Sequence, residues 1–404
     1  MSSSSRSSGG PGEGWRVSTL AVHGGEHKQP VAVADSVTTP IALTSTYHFR
    51  DTQQVIDYQE GRYSSFEYGR YGNPTVAVAE KKLAVLEGAE ACLLSASGMN
   101  AVTTMLLSLV PAGGHIVTTS DCYRRTRQFM TTVLPRMGVQ TTVIEPGDMD
   151  ALTRALERET CLFFSESPTN PYLRVVDIPK TADLCHARGV LVVIDGTFAT
   201  PINQRCLDLG ADLVLHSATK YLAGHNDLLG GALLGSHELV DRVRKTHDVL
   251  GGIMAPQVAY LLVRSLKTLP LRIARHNSNG LALATYLSRH EKVTRVHYPG
   301  LPDHPDHAVA SAQMGGFGGV VSFEVRGDRL AASRFIDALA LPYIAPSLGA
   351  VESLAEQPMV ISYWDYSDEE RARLGIADTL IRYACGIEDA DDIIDDVARA
   401  LDQV

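Results

Sequence analysis

Apolar residues come along this chain in short unbroken runs separated by stretches of helical period. The runs ACLL (91–94), HIVTT (115–119), CLFFS (161–165), LVVID (191–195) and LVLHS (213–217) show no polar alternation. Alternation disappears when a strand is covered on both faces, so these segments predict doubly buried strands. Strands lying between helices predict an α/β fold with a mostly parallel sheet and helices on both faces. From Thr75 a helical pattern sets in with Val78, Leu83 and Leu86 as its apolar positions, and Gly88 ends it. The pattern changes near residues 267–270. A long helix from about Arg272 to His290 leads into a second, smaller α/β domain, which carries the glycine-led strand GFGGVVSFEV (316–325). SDEE at 367–370 reads as a capping box, and the last helix places Ile394, Val397 and Leu401 on one face. Residues 17–60 lack sustained periodicity and read as an extended arm that packs on a neighbouring subunit. The expected divisions are a disordered tail (1–16), the arm (17–73), a larger domain (74–270) and a C-terminal domain (271–404).

Composition narrows the function. The 404 residues carry 36 Lys and Arg against 46 Asp and Glu, a net charge of −10, with no clustered basic face to suit nucleic acid. The six cysteines are scattered and none is in CxxC spacing, so neither a disulfide framework nor a zinc site is expected, and a reducing cytoplasm fits. SSSSRSSGGPGEG at the start has no apolar core of a secretory signal, and no apolar run is long enough to span a membrane. The pair His304 and His307 in HPDH follows a Pro-Gly turn and reads as a surface loop rather than a metal site.

In open parallel sheets ligands bind beyond the carboxyl ends of the strands, and there this chain is unusually polar. After the first run, SASGM (95–99) leads into a helix expected to begin near Asn100, where Gly98 and Met99 suit a phosphate or form a plain turn. After the second, Tyr123 can stack on an aromatic ring or close the core rim. Asn170, between two prolines, is a ring-hydroxyl ligand or a turn residue. Asp195 ends the fourth run, where a buried carboxylate asks for a cationic partner such as a protonated pyridine, the alternative being a helix N-cap with Thr197 following. Ser217, Thr219 and Lys220 follow the fifth run. A lysine there is costly unless it is paired or consumed in a Schiff base, or snorkels to solvent. Arg382 interrupts the apolar strand TLIRYA and asks for an anion, either a substrate carboxylate or a structural acid.

Together with SFEYGRYGNPT, LVPAGGHIVTTSDCYRRTR, FFSESPTNP, IDGTFATP, HSATKYLAGHND, GFGGVVSFE, YIAPSLG and ISYWD, these residues make the chain from about Val17 onward resemble the Cys/Met-metabolism family of pyridoxal-phosphate enzymes. The nearest look is to plant-type cystathionine γ-synthases. The resemblance implies a fold-type I, aspartate aminotransferase-like subunit in a homotetramer built as a dimer of dimers, with pyridoxal 5′-phosphate as cofactor. It implies that Lys220 holds the cofactor as a Schiff base, that Asp195 pairs with the pyridine nitrogen, and that Tyr123 stacks on the ring. Gly98, Met99, Ser217 and Thr219 would hold the phosphate, with Thr197 near the ring. Tyr68 and Arg70 would reach that phosphate from the neighbouring subunit. Asn170, Ser347 and Arg382 would orient the ring hydroxyl and the substrate carboxylate.

Within that family γ-replacement and γ-elimination share all of these positions. Methionine γ-lyases usually have a cysteine two residues after the stacking tyrosine, where this chain has Arg125. Cystathionine γ-lyases often have an acid before the serine of SLG, where it has Pro346. The expectation is therefore cystathionine γ-synthase-like replacement, with methionine γ-elimination to methanethiol, 2-oxobutyrate and ammonia as the alternative. Cystathionine cleavage comes behind it, and a non-catalytic binding protein last. Arg124 and Arg125 either favour an anionic γ-leaving group or face solvent. The short tail, in place of a long plastid-targeting extension, suggests a bacterial chain and leaves the activated donor open.

Overall fold

The computed structural model describes residues 14–26, 36–156 and 159–404. Most of the expected tail lies outside the described residues. Seven strands form the larger sheet: β1 (Ala91–Ser95), β2 (His115–Thr119), β3 (Gln140–Ile144), β4 (Thr160–Glu166), β5 (Leu191–Asp195), β6 (Leu213–Ser217) and β7 (Gly231–Gly235). Their spatial order is β1-β7-β6-β5-β4-β2-β3, parallel throughout except for β7, which runs against both neighbours. The five apolar runs are all strands, as their patterning predicts.

Two strands escaped that reading for physical reasons. β3 is a polar edge strand, QTTVI, half open to solvent. β7 begins and ends on glycine because its neighbours come too close for a side chain: a Cβ on Gly231 would lie 2.2 Å from the Ser97 carbonyl oxygen, and one on Gly235 2.6 Å from the Leu213 side chain.

One face of this sheet packs Leu93, Met105, Leu106, Phe164, Val193 and Leu215, and the other packs Val117, Phe163, Val192, Ile194 and Val214. The second sheet, in order β10-β11-β12-β9-β8, comprises β8 (Val293–His297), β9 (Val320–Val325), β10 (Tyr343–Ile344), β11 (Leu354–Glu356) and β12 (Leu380–Ala384). Its core centres on Phe323, Phe335, Ile381 and Tyr383. The helix Leu269–Leu287 joins the two, with Leu269 and Ile273 in a cluster that also holds Leu83, Leu94 and Leu234, and Leu283 and Leu287 in the core around Phe323.

The arm is less extended than expected. It contains two helices, α1 (Val17–His23) and α2 (Thr52–Gln59). α1 is pinned by Lys82, whose buried ammonium donates to the carbonyls of Ala21 and Val22 and pairs with Glu26 at 2.9 Å. α2 is started by Asp51, which accepts from the Gln54 N–H. Tertiary and capping contacts therefore supply what periodicity lacked. α3 (Pro74–Glu87) is capped by Asn73 and stopped by Gly88 at positive φ, as the sequence indicates. The capping box at Ser367 and Glu370 is present. In the last helix, Ala390–Leu401, the buried face is Ile393, Val397, Ala400 and Leu401. Ile394 is only half-buried, a shift of one position from the expected stripe.

Candidate active site

Residues at or beyond the ends of β1, β2, β4, β5 and β6, with Glu356 of β11 and Arg382 of β12, line a single cavity of about 550 Å3, a size suited to a cofactor and an amino acid together. Beyond β1, Ser97 caps α4 (Gly98–Leu109) by accepting from the Asn100 N–H. Gly98 is the first helical residue, and a Cβ there would lie 3.0 Å from the Ser217 Cβ, so the helix start presses against the end of β6. The start of this helix and the Ser217 and Thr219 side chains line the cavity together, a donor set that suits an anion. Thr219 itself is tied to Gly230, accepting from its N–H at 3.0 Å and donating to its carbonyl.

Asp195 lines the same cavity. Its Oδ1 takes both the Thr197 N–H, at 3.0 Å, and the Thr197 hydroxyl, and Thr197 in turn accepts from the Ser217 N–H. The helix N-cap alternative is thereby set aside, since the next helix starts only at Thr200. Burial pushes the Asp195 carboxyl up, the direction expected of a carboxylate that lacks a cationic partner. Glu166, beside it in register on β4, is raised by burial and by Asp195, and its carboxylate accepts from the Tyr123 N–H. Tyr123 opens α5 (Arg124–Gln128) and is 43% exposed at the mouth of the cavity.

Lys220 reaches across to Ser347, donating to its hydroxyl at 2.5 Å. Burial pushes its ammonium down to about 8, with the Arg382 charge adding to the shift. Ser347 sits at φ +100, a strained conformation for a side chain with a Cβ. Its carbonyl accepts from Arg382 at 2.7 Å, while Arg382 also donates to the Asn170 side chain at 3.1 Å and pairs with Glu356. Arg382 therefore lines the cavity and is paired with an acid, as the structural-acid reading expects.

This donor set fits pyridoxal phosphate. A helix N-terminus with two hydroxyls suits the phosphate, a partly deprotonated lysine suits the aldehyde, and a buried carboxylate suits the ring nitrogen. Gly98, Met99, Tyr123, Asn170, Asp195, Thr197, Ser217, Thr219, Lys220, Ser347 and Arg382 all line the cavity. Tyr68 and Arg70 do not. Tyr68 is 43% exposed, and Arg70 lies over the Tyr71 ring and donates to the Asp248 carbonyl.

Sequence reasoning missed Glu166 and Glu356. The first stands at a strand end, where the search rule already pointed. The second is a lone acid in the apolar stretch SLAEQP, facing Arg382 in register. Arg124 lines the cavity, while Arg125 is exposed and bonded to Gln128. HPDH lies in a turn segment with Pro305 exposed, as expected of a surface loop, and its histidines are held by backbone carbonyls. His304 is buried against the Tyr172 carbonyl and His307 is bonded to the Pro299 carbonyl, and no metal-binding cluster occurs among the described residues.

Comparison with known proteins agrees with this geometry. The family model for Cys/Met metabolism PLP-dependent enzymes matches residues 18–402. Cystathionine gamma-synthase 1, chloroplastic, of Nicotiana tabacum is 56% identical over 96% of this chain and 72% of its own length. L-methionine gamma-lyase of Fusobacterium nucleatum subsp. polymorphum is 37% identical over 96% of this chain and 98% of its own. The crystal structure of cystathionine gamma synthase from Xanthomonas oryzae pv. oryzae, in complex with aminoacrylate and cysteine, superposes with a TM-score of 0.91 at 34% identity, covering 96% of this chain and 98% of that one. With strand ends, cavity and relatives in accord, the chain belongs to the Cys/Met metabolism family of pyridoxal-phosphate-dependent enzymes.

Proposed function

We propose that the chain catalyses γ-replacement of the cystathionine γ-synthase type, exchanging the γ-substituent of an activated homoserine for the thiol of cysteine. The observation that carries this reading is the pair of arginines in one cavity. Arg382 and Arg124, the latter in the first turn of α5, both line it; the first would take the α-carboxylate and the second a further anionic group. A leaving phosphate or dicarboxylate half-ester, or the carboxylate of incoming cysteine, would use that second charge. The neutral methylthio group of methionine would not. The tobacco enzyme's name and its 56% identity support the same choice over a lyase.

When bound, pyridoxal phosphate supplies the electron sink that makes the substrate's Cα and then Cβ protons acidic. Asp195 keeps the ring nitrogen protonated. Lys220 takes the Cα proton at Nζ and carries a proton to and from Cβ, since an amine pushed down to about 8 is available as a base near neutral pH. Ser347 holds that nitrogen in place. Arg382, braced by Asn170 and the Ser347 carbonyl, fixes the α-carboxylate and so sets which Cα bond faces Lys220. Tyr123, at the mouth, assists departure of the γ-substituent and entry of the thiol.

The active form is a dimer within a dimer-of-dimers tetramer, in which Tyr68 and Arg70 complete the phosphate site of the neighbouring subunit. Their failure to reach their own cavity supports this. A reducing compartment such as the cytoplasm suits six unpaired cysteines. The test is a product comparison. Activated homoserine plus cysteine should yield cystathionine, whereas efficient release of methanethiol and 2-oxobutyrate from L-methionine alone would make the chain a lyase.

A further inference from the structure

Arg382 is engaged before any substrate carboxylate arrives. Its guanidinium lies 3.0 Å from Glu356 Oε1, the two residues face each other in register across β11 and β12, and their side chains are only 6 and 2% exposed. The other carboxylate oxygen, Oε2, is buried without a well-formed hydrogen bond among the described residues, and the Ser362 hydroxyl is a side-chain donor near the carboxylate. The charges bearing on Glu356 are Arg382 from β12, Lys220 from beyond β6 and, more weakly, Arg124 from α5. The remaining acids of the cavity, Glu166 and Asp195, stand at the ends of β4 and β5.

On the reading of Arg382 as the anchor for the α-carboxylate, substrate binding brings a second carboxylate onto a guanidinium that already has one. Two carboxylates sharing one buried cation cannot both stay ionised cheaply. The substrate's α-carboxyl is the stronger acid, so the proton goes to the protein. We propose that Glu356 is a proton-coupled positioning residue for Arg382. Docking of a substrate carboxylate draws one proton from solvent onto Glu356 Oε2, and the resulting neutral acid goes on bracing the guanidinium while ceding its charge to the substrate. The balance is simple: one carboxylate and one proton become one carboxylic acid, and no other bond changes.

Burial already raises the Glu356 carboxyl, which makes the uptake cheaper. Carboxylate affinity should therefore weaken as pH rises, by up to about tenfold per unit where one proton is taken up.

The test uses the holoenzyme and propionate, a carboxylate with no amine to displace Lys220. Calorimetric titration in buffers of different protonation heat counts the protons taken up, and the cofactor's visible band, recorded alongside, counts those taken up at the cofactor. The expected result is close to one proton per site beyond the cofactor's share, with that extra proton and the steep pH slope both absent in Glu356→Gln. Binding that is lost in Arg382→Leu but shows no extra proton in the unmodified enzyme, or the same extra proton in Glu356→Gln, overturns the proposal while leaving the anchor reading intact. Undiminished propionate binding to Arg382→Leu overturns the anchor reading and the proposal with it. Should Glu356→Gln fail to fold, the proton count of the unmodified holoenzyme decides alone.

Discussion

Lys220 shows how much one residue's surroundings decide. Its position after an apolar run was legible because a cation at a buried strand end needs a purpose, and Asp195 one strand away gave it one. Its tuning was not legible, since that comes from burial in the folded cavity and from the charge of Arg382, while the hydroxyl that holds the amine belongs to Ser347, 127 positions later. The sign of the resulting pH dependence is clear. The folded value, about 8, lies below the ordinary lysine value, so the reactive free amine gains population as pH rises through about 8. Reconstitution of the cofactor-free chain with pyridoxal phosphate, followed by its visible absorption, should accelerate over that interval and level off above it. A rate still climbing towards pH 10 would mean that the lysine is untuned. Lys220→Ala should lose the visible band and at least about 10^3-fold in turnover, the scale of a positioned proton-transfer group.

At the scale of elements, the sequence resolved whatever was repetitive and apolar. Five buried strands, α3 and the capping box before residue 368 were readable because each rests on local pattern or local capping. β7 was hidden by glycines needed for close approach, and α1 by its dependence on the distant Lys82. Glu356 escaped because its partner lies across a three-residue strand, which no periodicity reveals.

The turn joining β10 to β11 shows how such tertiary contacts set the site. Gly349 stands at φ +81, and a Cβ there would lie 2.7 Å from the Tyr221 backbone nitrogen. Gly349→Ala should cost about 1–3 kcal/mol in unfolding free energy, from backbone strain and the clash together. It should also lower kcat, because Ser347 is on the same turn and would be displaced from Lys220. Denaturant unfolding and steady-state kinetics check the two effects, and an unchanged kcat would show that the turn does not position Ser347.

The whole molecule adds what a single chain lacks. Tyr68 and Arg70 belong to motifs that resemble a cofactor site, yet in this subunit they stand outside the cavity, so a complete site on this account needs two chains. Lys220→Ala and Arg70→Ala are each expected to be nearly inactive alone. Refolded together in equal amounts, they should regain about a quarter of full activity, because half the dimers are mixed and each mixed dimer holds one intact site. No recovery on mixing would place Arg70 in its own subunit's site or in none.

The central claim is that these strand ends converge on one cofactor held at Lys220. It is tested most directly by reducing the holoenzyme with borohydride and mapping the modified peptide by mass spectrometry. The expected result is a single phosphopyridoxyl adduct on Lys220, in the peptide that includes SATKYLAGH. An adduct on another lysine, or none in an enzyme that still turns over, would contradict it.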